Sequence, residues 1–343
     1  MTTLAVVIPA HAREQRLDRL LQALSRQARM PDEVIIARNP VAAGDPLPED
    51  IACDKWGFPV RQVPNLIQSI PAALNNAIQS AESDLIVRLD ARSVPDIHYL
   101  QRCEDTLANT GAQVVGGRWE MQQEEQTITA RAIAVAVAHP MSTGGVRYRR
   151  QGAAAPGLVD TVPYGCFRRS LWKKLDGFDE TLLSSEDYEF FWRVRARGGR
   201  IFFDPSICSV YFPRASYRGL MRQYFRYGWW KTQMLRKHPA SIRARQLLPI
   251  AASAALVAAL VFSAFGPPGR LMFGAIGLLY GGLLMGASVQ QAVRARCAGL
   301  LVMLPVTFVS IHLSWCGGVW ANLLGRSISR PWLTKTYQPE GTT

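Results

Sequence analysis

From Pro205 to the C-terminus the chain carries a single acidic residue, Glu340, against fifteen lysines and arginines. The same tract holds three long apolar runs, Leu247–Phe265, Leu271–Ser288 and Cys297–Leu324. All 343 residues together contain 39 Lys and Arg against 26 Asp and Glu, so the formal excess of +13 resides in this last part. Each run is uncharged and long enough to cross roughly 30 Å of hydrocarbon, which predicts spanning helices. A pI near 9.8 alone would suggest nucleic acid. Basic residues that flank apolar spans point instead to a membrane surface and argue against a nucleic-acid partner. The arginines before the first run and the Arg294/Arg296 loop fall on the cytoplasmic side by the positive-inside rule. Three full crossings would then put Arg326, Arg330 and Lys335 on the far side. A broken or re-entrant third run, suggested by Pro305 and Gly317-Gly318, would bring them back.

The first two thirds read differently. Leu4–Ile8 is a short apolar strand ended by Pro9, followed by a helix over 16–28, a strand at Glu33–Ala37 and a third at Val60–Val63. A helix over Pro71–Ala81 leads to a strand, Leu85–Leu89, that ends on Asp90. This alternation predicts an open, largely parallel α/β sheet with ligands at the carboxyl ends of its strands. Further helices are expected at His98–Asn109, Thr129–Ala138 and Ser170–Lys174, and strands at Gln113–Arg118 and Val162–Phe167. A basic loop at Gly144–Ala155 is a candidate for substrate closure. The N-terminus has no basic leader and runs straight into a strand, so no signal peptide is expected. Six scattered cysteines without a C-x-x-C or Cys/His cluster argue against a zinc site or disulfide framework and fit a reducing compartment.

Two stretches carry candidate chemistry. Ser184-Ser185-Glu186-Asp187 precedes an apolar, aromatic run, a helix-start pattern in which hydroxyl and carboxylate oxygens accept from the first amides. It would fix Asp187 at a helix N-terminus. Arg214, Arg218, Arg222 and Arg226 recur every four residues and would form one basic stripe if helical. Tyr224, Phe225, Trp229 and Trp230 would seat such a helix among headgroups.

In order and spacing these residues resemble the family-2 glycosyltransferases, whose nucleotide-sugar-binding domain has the GT-A fold. Val6-Val7-Ile8-Pro9-Ala10-His11 is similar to that family's first strand and donor loop. Asp90-Ala91-Arg92 stands where the family has D-x-D, and Gly177-Phe178-Asp179-Glu180 followed by Glu186-Asp187 matches its G-F-D-E…E-D. Gln223-x-x-Arg226-Tyr227 resembles Q-x-x-R-W with Tyr for Trp. The whole layout resembles bacterial succinoglycan-type glucosyltransferases in particular.

The resemblance implies a GT-A catalytic domain over 1–212, interface helices over 213–245, a membrane region over 246–325 and a tail from 326. It implies an inverting transfer from a nucleotide-sugar, with UDP as the expected nucleotide, to a polyprenyl-linked saccharide at the cytoplasmic face of a bacterial membrane, in exopolysaccharide or envelope glycan synthesis. Asp187 would be the catalytic base, with Glu186 beside it. Donor contacts are implied at Pro9, Ala10, His11, Arg13, Glu14, Asn39 and Asn75. Further ones are implied at Asp90, Ala91, Arg92, Gln223, Arg226 and Tyr227. Asp90 would hold Mg²⁺ or Mn²⁺. Three departures stand out: Arg92 where the family has a second acid or His, Ala37-Arg38-Asn39 where Asp-Asp-Gly is common, and Ala12 for a frequent Asn. Arg92 cannot ligate a metal but can neutralise a diphosphate. The alternatives are a transferase acting directly on polyprenyl phosphate and an inactive lipid-binding protein of the same fold.

Overall fold

Leu4–Ala10 (β1) is buried nearly throughout, which requires cover on both faces. The computed structural model describes residues 2–325 except 13, 15, 41–45, 48–50, 52–54, 151 and 153–154. After β1 and α1 (Leu17–Leu24) come β2 (Glu33–Arg38), β3 (Val60–Pro64), α2 (Ile70–Ser80), β4 (Leu85–Arg88), β5 (Val94–Pro95) and α3 (Tyr99–Thr110). Then follow β6 (Val114–Met121), α4 (Ile128–Ala138), α5 (Pro140–Thr143), β7 (Gly157–Leu158), β8 (Cys166–Arg168), α6 (Arg169–Lys174) and α7 (Glu186–Ala196). The chain continues through β9 (Ile201–Tyr211), α8 (Tyr217–Lys237), α9 (Ala244–Ser263), α10 (Pro267–Arg294) and α11 (Leu300–Leu323).

The described residues form two compact units, one built from residues up to 120 with 147–211, the other from 121–146 with the chain from 212 onward. The excursion that carries α4 and α5 therefore leaves the sheet unit and joins the helical one. The sheet is mixed, in the order β3-β2-β1-β4-β8-β6-β9-β5 with β7 on β9. β3, β2, β1 and β4 are parallel, whereas β8 is antiparallel to both β4 and β6. Alternate residues of β1 serve opposite cores: Leu4, Val6 and Ile8 pack with α1 and α3, and Ala5 and Val7 with α2 and α7.

Pro9 does not end β1. Odd residues of the strand bond toward β4 (Leu89 N–H to Val7 O, 3.1 Å) and even ones toward β2 (Asn39 N–H to Ala10 O, 3.2 Å). The missing donor of Pro9 thus falls on the side where β4 has already stopped. The strand expected over 162–167 is shortened to β8, because Tyr164 and Gly165 adopt φ +62° and +76° just before it. Long β9 was not anticipated; its charged and small residues hide the period.

In the helical unit three helices are long and apolar enough to cross a membrane. The third, α11, is one continuous helix, not a broken one. Its glycines permit close approach: a Cβ on Gly318 would lie 2.0 Å from the Phe225 carbonyl oxygen, and one on Gly228 2.0 Å from that of Trp315. α8 and α11 therefore meet backbone to backbone.

Candidate active site

β4 carries a charge where a strand buried on both faces calls for a hydrophobe. Arg88 follows Ile86 and Val87, and its side chain is only 6% exposed. Its guanidinium reaches three carboxylates. Nη2 donates to Asp90 Oδ1 at 3.2 Å, Nη1 lies 2.9 Å from Glu186 Oε1, and Nη1 lies 4.0 Å from Asp187 Oδ2. Asp90 leaves the carboxyl end of β4, and the two adjacent acids open α7. Arg88 is the hub that joins the strand end to the helix start. Burial works against its charge, but the fields of Asp90, Glu186 and Asp187 outweigh that and raise its pKa.

The tandem acids have different surroundings. Glu186 is 6% exposed, and burial raises its pKa, with Asp187 and Asp90 adding like charge against the opposing pull of Arg88. Asp187 is 33% exposed and Asp90 40%. Glu186 is thus committed to Arg88, while Asp187 and Asp90 present oxygens to the outside. The expected serine cap is absent: Ser185 sits at φ +69° and its hydroxyl makes no capping bond. A non-glycine residue held in that region stores roughly 1–3 kcal/mol, and it lies directly before the two acids.

The Gly177–Glu180 turn sets the position of α7. Asn75 Oδ1 accepts from Phe178 N–H (2.8 Å) and Trp172 Nε1–H (3.1 Å), and its Nδ2 donates to Phe178 O (2.9 Å) and Glu180 Oε1 (2.8 Å). From the other side Arg193 forks onto Glu189 at 2.7 and 2.8 Å and donates to Gly177 O at 2.7 Å and to Leu175 O. Phe178 fills the core against Phe190, ring centroids 4.7 Å apart. Asn75, expected at the donor, makes four hydrogen bonds to and around this turn, and the turn motif acts by placing the acids.

At the ends of β1 and β2, Arg38 is fully buried and donates to Ala12 O at 2.6 Å and His11 O at 3.3 Å. Asn39 is buried too: its Nδ2 donates to His11 Nδ1 at 3.4 Å, and its Oδ1 accepts from Asn65 Nδ2 at 2.8 Å. The side chain expected to touch a base thus shapes the loop beneath it. Pro9, Ala10 and His11 lie at this edge, next to β4 and on the same side as Asp90, and Glu14 precedes α1. Arg13 is outside the described residues. Ala91 is buried and Arg92 half-buried directly after Asp90. This edge lies at the carboxyl ends of neighbouring β1 and β4, between which the strand order changes direction, the switch point at which open sheets bind ligands.

Tyr164 closes the other flank. Its phenol is buried, and burial pushes its pKa well up, with Asp90 and Tyr211 adding to the effect. Trp119 packs 5.5 Å from it and stacks on Tyr211 at 4.1 Å and 7°. Gln223, Arg226 and Tyr227 belong to the helical unit. There Gln223 Nε2 donates to the Tyr227 hydroxyl at 3.0 Å, and Arg226 is buried.

Sequence reasoning missed Arg88 and Tyr164 and noted Arg38 only as a departure from the family pattern, without a role. The available signal was a charge inside an otherwise apolar β-branched run, as in both Ile86-Val87-Arg88 and Ile35-Ile36-Ala37-Arg38.

A single exposed carboxylate beside a strand end suits Mg²⁺ or Mn²⁺, which take one or two carboxylates and complete their shell with substrate phosphates and water. Among the described residues no group of three or more His, Cys, Asp or Glu forms a protein-only metal cage.

The sequence profile described as Glycosyltransferase like family 2 matches residues 2–229. The chain is 31% identical over 269 residues to the succinoglycan biosynthesis protein ExoA of Rhizobium meliloti, covering 76% of each. It is 24% identical over 170 residues to a Methanococcus voltae enzyme, dolichyl N-acetyl-alpha-D-glucosaminyl phosphate 3-beta-D-2,3-diacetamido-2,3-dideoxy-beta-D-glucuronosyltransferase. That match covers 48% of this chain and 52% of the enzyme. Among solved structures it resembles the mannosyltransferase PcManGT of Pyrobaculum calidifontis, determined with GDP-mannose and Mn²⁺. There the TM-score is 0.62 at 16% identity, over 95% of this chain and 88% of that one.

Proposed function

The chain belongs to glycosyltransferase family 2, and from that premise we propose that it is an inverting transferase whose base is Asp187. The observation that supports this most is the split between the adjacent acids, Glu186 buried against Arg88 and Asp187 open. The donor is a UDP-sugar. The acceptor is a hydroxyl of a polyprenyl-linked saccharide at the cytoplasmic face of a membrane that the apolar helices enter. The name of the Methanococcus enzyme includes a lipid-phosphate-linked sugar, which favours that acceptor class. Glycosyl transfer within a family that includes a succinoglycan biosynthesis protein favours exopolysaccharide or envelope glycan as the product.

Asp187 takes the proton of the acceptor hydroxyl, general-base help that commonly contributes ~10²–10⁴ in rate. The oxygen then bonds to the anomeric carbon as the bond to the nucleoside diphosphate breaks on the opposite face. Negative charge grows on the departing diphosphate, and Arg92 is placed beside Asp90 to meet it. Asp90 is the residue that would hold a divalent cation, which when bound neutralises that same charge. Arg88 keeps Glu186 from drifting into the site and aims Asp90 and Asp187 from one anchor. Donor binding by Gln223, Arg226 and Tyr227 rests on their motif.

The test is transfer by detergent-purified protein from labelled UDP- and GDP-sugars into lipid extract, with Asp187→Asn and an EDTA arm. We expect Asp187→Asn to lose at least 100-fold in kcat while retaining donor binding, and EDTA to abolish transfer. Transfer that survives Asp187→Asn would remove the base assignment and favour polyprenyl phosphate as acceptor, since that oxygen is already an anion. Absence of any nucleotide binding would leave a lipid-binding relative without activity.

A further inference from the structure

We propose that only the α9–α10 hairpin crosses the bilayer, and that α11 lies along the membrane surface beside α8 as one lipid-facing layer. The inference rests on reading the apolar helices as membrane-inserted. Composition alone makes α11 as good a span as the other two, but its neighbours decide otherwise. α8 and α11 run in the same direction, side by side over nearly their whole lengths. At one end the Tyr217 hydroxyl donates to Met303 O (3.3 Å) and meets Thr307 Oγ1 (3.0 Å). Gly228 and Gly318 form the backbone contact in the middle, and Arg236 Nη2 donates to Asn322 O (3.0 Å) at the other end.

From Tyr217 to Arg236 this shared path is about 28 Å long, the thickness of a hydrocarbon core. An α11 that crossed the bilayer would take α8 with it, and α8 carries Arg218, Arg222, Arg226, Lys231, Arg236 and Lys237. Each such residue at membrane depth disfavours insertion by roughly two orders of magnitude. Laid in the interface, exposed Arg218, Arg236 and Lys237 meet anionic headgroups, while Arg226 and Lys231 stay buried within the protein.

Burial within the protein separates the helices in the same way. The most apolar windows of α9 and α10 are 6% and 11% buried, whereas that of α11 is 39% buried. α11 is covered on a further side by the 121–146 excursion. Arg131 Nη2 donates to Ala295 O at 3.0 Å near its start, and the His139 ring lies 5.3 Å from Phe308. Farther along, His312 Nε2 pairs with Met141 O at 2.9 Å. Of the exposed large apolar residues of α11, Val302, Val306 and Leu313 share one stripe, with Leu301 and Leu323 exposed near the two ends. Arg243, Arg245, Arg294 and Arg296 gather at the base of the hairpin, and Arg270 alone sits near its tip, which matches two crossings with the base on the cytoplasmic side. The chain then enters and leaves the bilayer on one face.

The test places one epitope at the N-terminus, one after Thr343 and one between Gly266 and Pro267, each in the full-length protein. Their protease sensitivity is then compared in sealed vesicles of both orientations. We expect the two terminal epitopes to be cut from the same face and the tip epitope only from the opposite one. A C-terminal epitope cut from the face of the tip would show a third crossing and overturn the proposal, because α11 is a single helix. Release of the protein by alkaline carbonate, or a tip epitope cut from the N-terminal face, would instead remove the membrane insertion on which the proposal rests.

Discussion

Arg88 illustrates what one buried charge does in this protein. Its desolvation is tolerable only because three carboxylates surround it, and Glu186 is tolerable only because Arg88 faces it. Removing one partner of such a pair leaves an uncompensated charge in the core, a loss of about 3–5 kcal/mol. Arg88→Met should therefore lower stability by that amount in thermal melts. Adding Glu186→Met should recover most of it, although transfer stays impaired because Asp90 and Asp187 have lost their anchor. Glu186 also gives a pH signature. With its pKa raised in the folded state, the native protein holds a proton that the unfolded chain has released, so this group's contribution to stability falls as pH rises above the ordinary glutamate range. Glu186→Gln should flatten that part of a melting-temperature profile. Asp90 and Asp187 were legible in the sequence as acids at a strand end and a helix start. Arg88 was not, because a lone arginine in a strand reads as an edge or an error until the sheet order shows what lies opposite.

Among the elements, α8 departs most from its sequence pattern. Residues four apart on a helix advance by about 40° beyond a full turn, so a row every fourth position winds around the axis. Arg214 precedes the helix, Arg218 is exposed, Arg222 half-buried and Arg226 buried. No single basic stripe exists. The glycines of the α8–α11 pair give a sharp test. Gly228→Ala and Gly318→Ala each place a methyl 2.0 Å from a backbone carbonyl oxygen, and overpacking of this kind costs about 1–3 kcal/mol. A methyl on neighbouring Gly317 would sit 3.8 Å from the Phe225 ring. Gly317→Ala should therefore be neutral or stabilising, since alanine is the better helix former. Melting temperatures in detergent would separate the three. The Gly177–Glu180 turn teaches the same lesson at the other end of the chain: its motif was visible, but its hold on Asn75 and Arg193 required the fold.

For the whole molecule the governing fact is the segregation of charge. The sheet unit is close to neutral, and the basic excess is confined to the part that also carries the apolar helices. A basic residue near an anionic leaflet contributes about 1 kcal/mol of attraction. In a peptide spanning residues 213–243, Arg218→Gln with Lys237→Gln, two exposed positions on α8, should weaken binding to anionic vesicles by roughly 30-fold at low salt and leave binding to zwitterionic ones unchanged. Sedimentation with vesicles of both kinds would measure it. No loss on the anionic vesicles would mean that these two charges do not meet the leaflet.

The sequence by itself determined the alternation of strands and helices, the positions of Asp90 and Asp187 and the existence of three apolar helices. These depend on local periodicity and on residues next to one another in the chain. Tertiary structure alone decided that Glu186 and Asp187 differ in access, that Asn75 and Asn39 serve the scaffold, and that α4 and α5 leave the sheet unit. It also decided that α11 has a basic helix for a companion. Each of these depends on what lies across a packed interface, where desolvation and pairing set the energy of a charge, and no run of neighbouring residues records that.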